Sequence, residues 1–405
     1  MKRPLIALVL AQALSLAGTR LSTVAIPWLV LTTTGDPVLT GLVGLAEMLP
    51  YVVAKGLGGP WVDRFGARTV SLWCDLASIV AVGIIPVLQV LGLLTLPVLL
   101  PLVAVMGLLR GPADVAKSSL VPEVARLVDL RLERVTGAMG AVERLASTVG
   151  AAAAGVLIAM IGAGPALIFN AATFGLSVLV VLWGLPRTRP AGATNAPYRR
   201  QLGEGWTFLR HEPVLMGIVL MVMITNLFDQ AHAVVMLPVW VQTHGHDAAV
   251  LGMLLAVTSA ASIAGSVLAG ATGERLPRLQ VYTIAYLIVG LPRFAVFAFD
   301  APLALIISVL VIGGFASGFL NPILSAISFE RIPQALVGRV TALIGALAWA
   351  LIPFGGLAGG ALIAGFGLEK ALLIAGGCYF VVTLMPLAVP SFRQFDRPPL
   401  RSAGE

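Results

Sequence analysis

The chain has 405 residues, 58% of them hydrophobic and 11% charged. A soluble domain carries about 25% charged residues, and no soluble core could bury this much apolar chain, so a water-soluble enzyme or binding domain is excluded. The net charge of +7 would suit a nucleic-acid partner, but its distribution along the chain has another origin, and no nucleic-acid partner is expected.

A membrane-crossing helix needs about 20 apolar residues. In chain order, the apolar runs predict twelve spans: 5–31, 38–60, 69–91, 97–117, 136–161, 165–185, 213–241, 249–272, 280–299, 302–328, 339–365 and 369–389. The expected fold class is an all-α polytopic membrane protein. The first run follows Met1-Lys2-Arg3 and contains Ala11-Gln-Ala13, which resembles a signal-peptide cleavage site. The run continues to Leu31, so it is read as an uncleaved span. A polar stretch after the sixth span divides the chain into an N-terminal six-helix half (1–187), a linker (188–212), a C-terminal six-helix half (213–390) and a tail (391–405). Within the linker, residues 199–210 predict a short helix on the membrane surface with Trp206 and Leu209 inward. Cys74 and Cys378 both fall within spans, where neither a disulfide nor a metal pair is expected.

The basic residues support this count of spans. Twenty of the 26 Lys and Arg fall in the segments on one side of the membrane, the side that also holds both termini; the opposite loops hold only Lys370. Arg20, Lys55, Arg110, Arg144 and Arg293 lie inside spans. This bias is what the positive-inside rule produces. It places both termini in the cytoplasm of a cell membrane, the inner or plasma membrane, and it accounts for the net charge. The excess of Arg over Lys points to a GC-rich bacterial genome.

The two halves repeat one another. Gly59-Pro-Trp-Val-Asp63-Arg64-Phe-Gly66-Ala-Arg68 aligns with Gly270-Ala-Thr-Gly-Glu274-Arg275-Leu-Pro-Arg278, and Gly41 and Pro27 keep the same offset to Gly252 and Pro238. A second block, Arg134-Val-Thr136, answers to Arg339-Val-Thr341, with Gly140, Gly150 and Gly155 matched by Gly345, Gly355 and Gly360. In a membrane protein, such repeats mark a transporter whose site lies between them.

The sequence Gly59-x-x-x-Asp63-Arg64-x-Gly66-x-Arg68 between the second and third spans resembles the signature of the major facilitator superfamily. Val24-Ala-Ile-Pro-Trp-Leu-Val30, Asp75, Leu120-Val-Pro122-Glu123 and Glu204-Gly-Trp206-Thr-Phe-Leu209 resemble its drug:proton antiporter-3, or macrolide-efflux-like, branch. That resemblance implies two pseudo-symmetric six-helix bundles, alternating access, and proton-coupled export of amphiphilic small molecules. A dedicated exporter or flippase for one metabolite, siderophore or lipid is the alternative; a transport-inactive scaffold or sensor is a third. It also implies a conformational latch at Gly59, Asp63, Arg64, Gly66 and Arg68, with a weaker second copy at Glu274 and Arg275. Gly59 is expected to let two helices approach closely and Gly66 to permit a tight turn.

Five acidic residues, Glu47, Asp75, Asp114, Glu143 and Asp229, accompany the five basic ones inside the spans. An ionisable group at the bilayer centre costs at least about 2.5–3.5 kcal/mol, so it faces a cavity or a partner. Depth along the helices groups Arg20 with Glu47 and Asp229 as proton-coupling candidates, because a carboxylate that loses its arginine partner takes up a proton more readily. Glu47, Tyr51 and Lys55 share one helix face. Arg110, Asp114, Glu143 and Arg144 form a second cluster, read as an inner gate closed by an Arg110–Glu143 bridge. Tyr51, Asn226, Gln230, Arg293 and Asn321 are substrate-cavity candidates. His232, near Asp229, reads as a helix residue held by hydrogen bonding, with a proton relay as its alternative. Gly150–Gly155 and Gly355–Gly360 are small-residue faces that allow close packing.

No Walker loop, Ser/His/Asp set or metal-ligand spacing is present, and His244-Gly-His246-Asp247 is too sparse a set to hold a metal. Neither cofactor nor enzymatic activity is expected. The expected partners are a small-molecule substrate, protons and the lipid bilayer, with the chain working as a monomer.

Overall fold

The computed structural model describes residues 3–186, 198–272, 277–333 and 336–395. The chain is 90% helical, without strands among the described residues. In order the helices are α1 (Arg3–Thr34), α2 (Pro37–Phe65), α3 (Ala67–Val90), α4 (Leu96–Ser119), α5 (Val121–Leu127), α6 (Leu132–Ile161), α7 (Ala163–Gly184), α8 (Tyr198–His211), α9 (Pro213–Ala231), α10 (Leu237–Thr243), α11 (Ala248–Thr272), α12 (Arg278–Val289), α13 (Leu291–Ala298), α14 (Leu303–Arg331), α15 (Val337–Trp349), α16 (Ile352–Phe366), α17 (Leu368–Thr383) and α18 (Met385–Ala388). They supply twelve stretches long and apolar enough to cross a membrane, each at a position where the apolar runs predict one.

Local chemistry sets the boundaries. Asp36 caps α2, its Oδ1 accepting from the Val38 and Leu39 amides at 2.7 and 3.3 Å, and Pro37 fits the first turn, where no amide donor is needed. Gly66 joins α2 to α3 at φ +84°, a left-handed conformation that only glycine adopts without strain, so the tight turn expected there is present. Prolines interrupt three C-terminal spans. The seventh passes through a π-helical turn, His232–Met236, just before Pro238. The ninth breaks at Gly290 before Pro292, and the eleventh breaks after Trp349, just before Pro353. In each case the ring removes a donor and crowds the preceding turn.

The chain packs into two compact units. The first contains α1–α7 together with Ala233–Ala256 and Gly356–Ala361. Its centre at the arginine-rich end is built from Ala7, Leu8, Ala11, Leu120, Val124, Val181 and Leu185. Small residues draw its helices together. A Cβ on Gly107 of α4 would sit 2.0 Å from the Glu47 carbonyl oxygen, and one on Gly111 2.5 Å from the Lys55 amide nitrogen. At the opposite, arginine-poor end a Cβ on Gly155 would sit 2.7 Å from the Gly252 Cα, and one on Gly360 2.4 Å from the Pro37 carbonyl oxygen. The expected small-residue faces are therefore contacts. Gly59 is a correction: a Cβ there would meet nothing within 4 Å, and the close approach belongs to Gly58, whose Cβ would lie 3.2 Å from the Pro112 Cα.

The second unit contains α8, α9, the rest of α11 and α12–α18, apart from the Gly356–Ala361 segment. Tyr282, Tyr286, Phe294, Phe297 and Tyr379 are buried in it. The linker helix forms over α8, with Leu209 buried, but Trp206 is exposed. Gly205 and Leu209, four residues apart, make the covered face, and Gly205 lies against the Arg339 backbone. Trp206, one residue on, points about 100° away. Glu204, midway along α8, pairs with Arg339, and Glu212, just past its end, pairs with Arg331 at 2.6 Å.

Candidate functional site

A charged cluster stands between α2 and α4 of the first unit. Because Gly107 and Gly111 bring α4 against the α2 backbone, the Glu47/Tyr51/Lys55 stripe on α2 meets the Arg110/Asp114 stripe on α4. Arg110 Nη1 stands 3.5 Å from Glu47 Oε1. The Arg110 guanidinium lies over the Tyr51 ring, 4.5 Å from its centroid. Tyr51 donates to Asp114 Oδ2 at 2.9 Å, and Lys55 Nζ donates to Tyr51 at 3.0 Å. Five residues that the sequence assigns to separate groups thus form one network.

Three pairings differ from the sequence expectation, one of them in the second unit, where Asp229 pairs with Arg293 and not with Arg20. Glu47 meets Arg110 instead of Arg20, because the glycines of α4 make α2–α4 the closer approach. Arg20 packs over Gly150 of α6, in the electrostatic field of Arg110, Glu143, Tyr51 and Asp114. Among the described residues no ion pair joins Arg110 to Glu143, and Glu143 and Arg144 are exposed on α6.

A further buried pair was missed as a pair. Lys117 Nζ donates to Asp75 Oδ1 at 3.0 Å, with both side chains 1% exposed, and Ser177 donates to Asp75 Oδ2 at 2.8 Å. Lys117 counts as a loop residue in the charge tally, yet it ties α3, α4 and α7 together. The signal available was Asp75 itself, an acidic residue inside a span that needs a partner.

The second unit encloses a cavity of about 280 Å³. Asn226, Asp229, Arg293 and Asn321, four of the predicted residues, line it, and Gln230 does not. Arg293 Nη2 donates to Asp229 Oδ1 at 2.5 Å. The guanidinium is held in place by Phe294 and Tyr379, whose centroids lie 4.8 and 5.6 Å away. Asp229 is the more open partner, 39% exposed against 16% for Arg293. Asn226 donates to the Ala348 carbonyl at 2.9 Å, leaving its amide oxygen as an acceptor. Thr225, Thr258, Ser262, Ser317, Tyr286 and Tyr379 complete the polar lining, while Val222, Val289, Val309, Leu310, Leu320 and Leu324 form the apolar part. The serines and threonines carried no sequence signal, because such residues are common on membrane helices. His232 packs against Phe294 and Phe297, with centroids at 5.2 and 5.3 Å, and its Nε2 is buried without a hydrogen bond, so the hydrogen-bonded role expected of it is absent at that nitrogen.

Of the latch residues, Asp63 and Arg64 are exposed, and Arg68 donates to the Leu182 carbonyl at 3.5 Å. Glu274 and Arg275 lie outside the described residues. In the loop before α11, His244 stacks on Trp240 at 4.3 Å and Asp247 Oδ1 accepts from the Val250 amide.

The family model described as Major Facilitator Superfamily matches residues 8–351 and, in a second match, 219–404. The multidrug efflux pump Tap of Mycobacterium tuberculosis strain H37Rv is 30% identical over 416 aligned positions, covering 98% of this chain and 96% of that protein. The protein of the same description from Mycolicibacterium fortuitum is 28% identical, covering 97% of each. Among solved structures, the nucleoside transporter NupG superposes with a TM-score of 0.72 at 15% identity, covering 96% of this chain and 99% of that one. A D-xylose–proton symporter gives 0.73 at 16% identity, covering 94% and 96%.

Proposed function

The chain belongs to the Major Facilitator Superfamily, and on that premise we propose that it is a secondary transporter exporting amphiphilic, drug-like small molecules in exchange for protons. Similarity along nearly the whole chain to pumps described as multidrug efflux pumps supports the export of drugs. The observation that carries the coupling is the Asp229–Arg293 pair facing a cavity that is polar on one part of its wall and apolar on another.

A carboxylate in this setting has three ways to be compensated: its arginine, a proton, or a cationic group on a substrate. Because Asp229 is the more open partner, a proton and a substrate can compete for it, and mutually exclusive occupancy is the elementary requirement for antiport. The apolar wall accommodates the rest of an amphiphilic molecule without demanding one shape. Glu47 and Arg110 form the corresponding pair in the first unit. Their 3.5 Å separation, without hydrogen-bond alignment, leaves Glu47 free to exchange its partner for a proton. Arg20 beside this network biases it electrostatically. Asp63, Arg64 and Arg68 serve as the latch, with Arg68 tied to the end of α7. In this reading the arginine-rich end and both termini face the cytoplasm, the protein acts as a monomer, and no covalent step is involved.

The test is proton movement in inverted membrane vesicles held at a steady pH gradient and challenged with chemically unrelated drugs. Wild type is expected to release protons with several of them. Glu47→Gln and Asp229→Asn should each reach the membrane and lose at least about tenfold of the response, the loss expected when about 1.4 kcal/mol of coupling is removed. If no drug moves protons in correctly oriented wild type, drug antiport is wrong and a single-metabolite exporter takes its place.

A further inference from the structure

Arg20 stands near the middle of α1 (Arg3–Thr34). More than about 20 Å of helix separates it from either end, at about 1.5 Å per residue, so its side chain cannot snorkel to a membrane surface. Yet among the described residues it makes neither a hydrogen bond nor an ion pair, and its Nε is buried without a partner. Arg110 of α4 is in a similar condition. Its Nε and Nη1 are buried without a hydrogen bond, Glu47 stands 3.5 Å away without making one, and the Tyr51 ring covers one face of the guanidinium. A guanidinium carries five N–H donors and no acceptor, and buried donors left unmatched inside a membrane span are costly.

The two arginines share one neighbourhood. Arg20 lies within the electrostatic reach of Arg110, Glu143 and Asp114. The carboxylates there do not meet its donors. Asp114 accepts from Tyr51 at 2.9 Å, Glu143 is exposed on α6, and Glu47 is the partner of Arg110. Arg20 and Arg110 are each only partly covered, so a ligand can reach both. What the pair lacks is an acceptor that two guanidinium groups can share. A neutral carbonyl would satisfy a donor; an anion also offsets the repulsion between the two cations.

We propose that Arg20 and Arg110 bind an anionic group, a carboxylate or a phosphate, carried by an amphiphilic substrate. Arg20 is the principal donor, because among the described residues no carboxylate stands within ion-pair distance of it. Arg110 adds its unbonded Nε while keeping Glu47 beside it. Acidic amphiphiles thereby join the ligands of this chain, and their being substrates rests on the export reading above. Inorganic anions such as chloride offer the same charge without an apolar body, so they gain nothing from the apolar surroundings of the pair.

The test is probe binding to the full-length protein in nanodiscs of zwitterionic lipid, at mildly alkaline pH, with the signal of empty nanodiscs subtracted. The probes are dansylaminoundecanoic acid and its methyl ester, which differ in the charge of one end. Wild type should bind the acid at least about tenfold more tightly, the worth of one hydrogen bond to a charged group. Arg20→Gln should remove most of that preference. Arg20→Lys, which keeps the charge but loses the planar fork, should retain part of it. Replacing gluconate by chloride at equal ionic strength should leave the preference unchanged. Equal binding of acid and ester by wild type, the full preference in Arg20→Gln, or its loss in chloride would each overturn the proposal. Should Arg20→Gln not fold, Gly150→Val decides. A Cβ at Gly150 would sit 3.1 Å from the Arg20 Cβ, so valine displaces Arg20 without changing any charge. A reduced preference there supports the site, and an unchanged one overturns it. Drug-driven proton release is measured separately, so the acid preference can fail while antiport stands, and antiport can fail while the preference stands.

Discussion

Asp75 and Lys117 are both sealed from solvent, and desolvating each ion costs several kcal/mol before their attraction is counted. Removing one partner therefore does more damage than removing both. Asp75→Asn should destabilise the protein by about 3–5 kcal/mol by stranding the Lys117 ammonium, and Asp75→Asn with Lys117→Met should recover a large part of that loss. Thermal unfolding of the detergent-purified proteins compares them; a double variant no more stable than the single one would show that the pair is not the operative unit. Arg293 makes a different point. Its planar guanidinium both pairs with Asp229 and stacks between Phe294 and Tyr379. Lysine keeps the charge but not the stack, so Arg293→Lys should weaken the site by about 1–2 kcal/mol, read as a matching loss of transport. At this scale the sequence named the charged residues but paired them differently, Glu47 and Asp229 with Arg20 and Arg110 with Glu143, where the structure pairs Glu47 with Arg110 and Asp229 with Arg293. Glu47, Arg110, Asp229 and Arg293 stand out because charge inside an apolar span is costly. That Glu47 meets Arg110 and not Arg20 depends on how closely two helices approach, which no spacing along one helix contains.

Helix pairs turn on glycines with distinguishable jobs. Gly107 of α4 touches the α2 backbone, which cannot yield as a side chain can. Gly107→Ala should lower the yield of folded protein at least several-fold, overpacking of this kind costing about 1–3 kcal/mol or more. Gly59→Ala is the opposing control: its Cβ meets open space, and alanine favours a helix by about 1 kcal/mol over glycine. Its melting temperature should hold or rise, and a large fall would contradict the packing. Gly66→Ala tests the turn between α2 and α3, where a side chain at φ +84° should cost about 1–2 kcal/mol. Both Gly59 and Gly66 belong to the recurring motif, yet only Gly66 has a conformational reason for its place in this structure. The linker helix follows the same logic. Its existence was legible from its apolar and polar residues, but its orientation was not, because Gly205 rather than the larger Trp206 fits against the Arg339 backbone.

At the scale of the molecule, the first unit closes its arginine-poor end through backbone contacts at Gly155 and Gly252 and at Gly360 and Pro37. Contacts without side chains can part and re-form without changing rotamers, as alternating access requires. Gly252→Leu should keep these helices apart, leaving an inserted protein that transports at least about tenfold less, the equivalent of about 1.4 kcal/mol. A cysteine placed at Val38 should also react faster with a membrane-impermeant thiol reagent. Transport at the wild-type rate would show that closure of this end is not required. The sequence by itself determined the membrane class, the twelve spans and the repeat, because apolar length, charge bias and internal similarity are properties of the chain read in order. The tertiary structure alone decided which charges meet, which glycines are contacts and which polar groups share a cavity. Those outcomes depend on distances between helices far apart in sequence, set by the smallest side chains at their crossings.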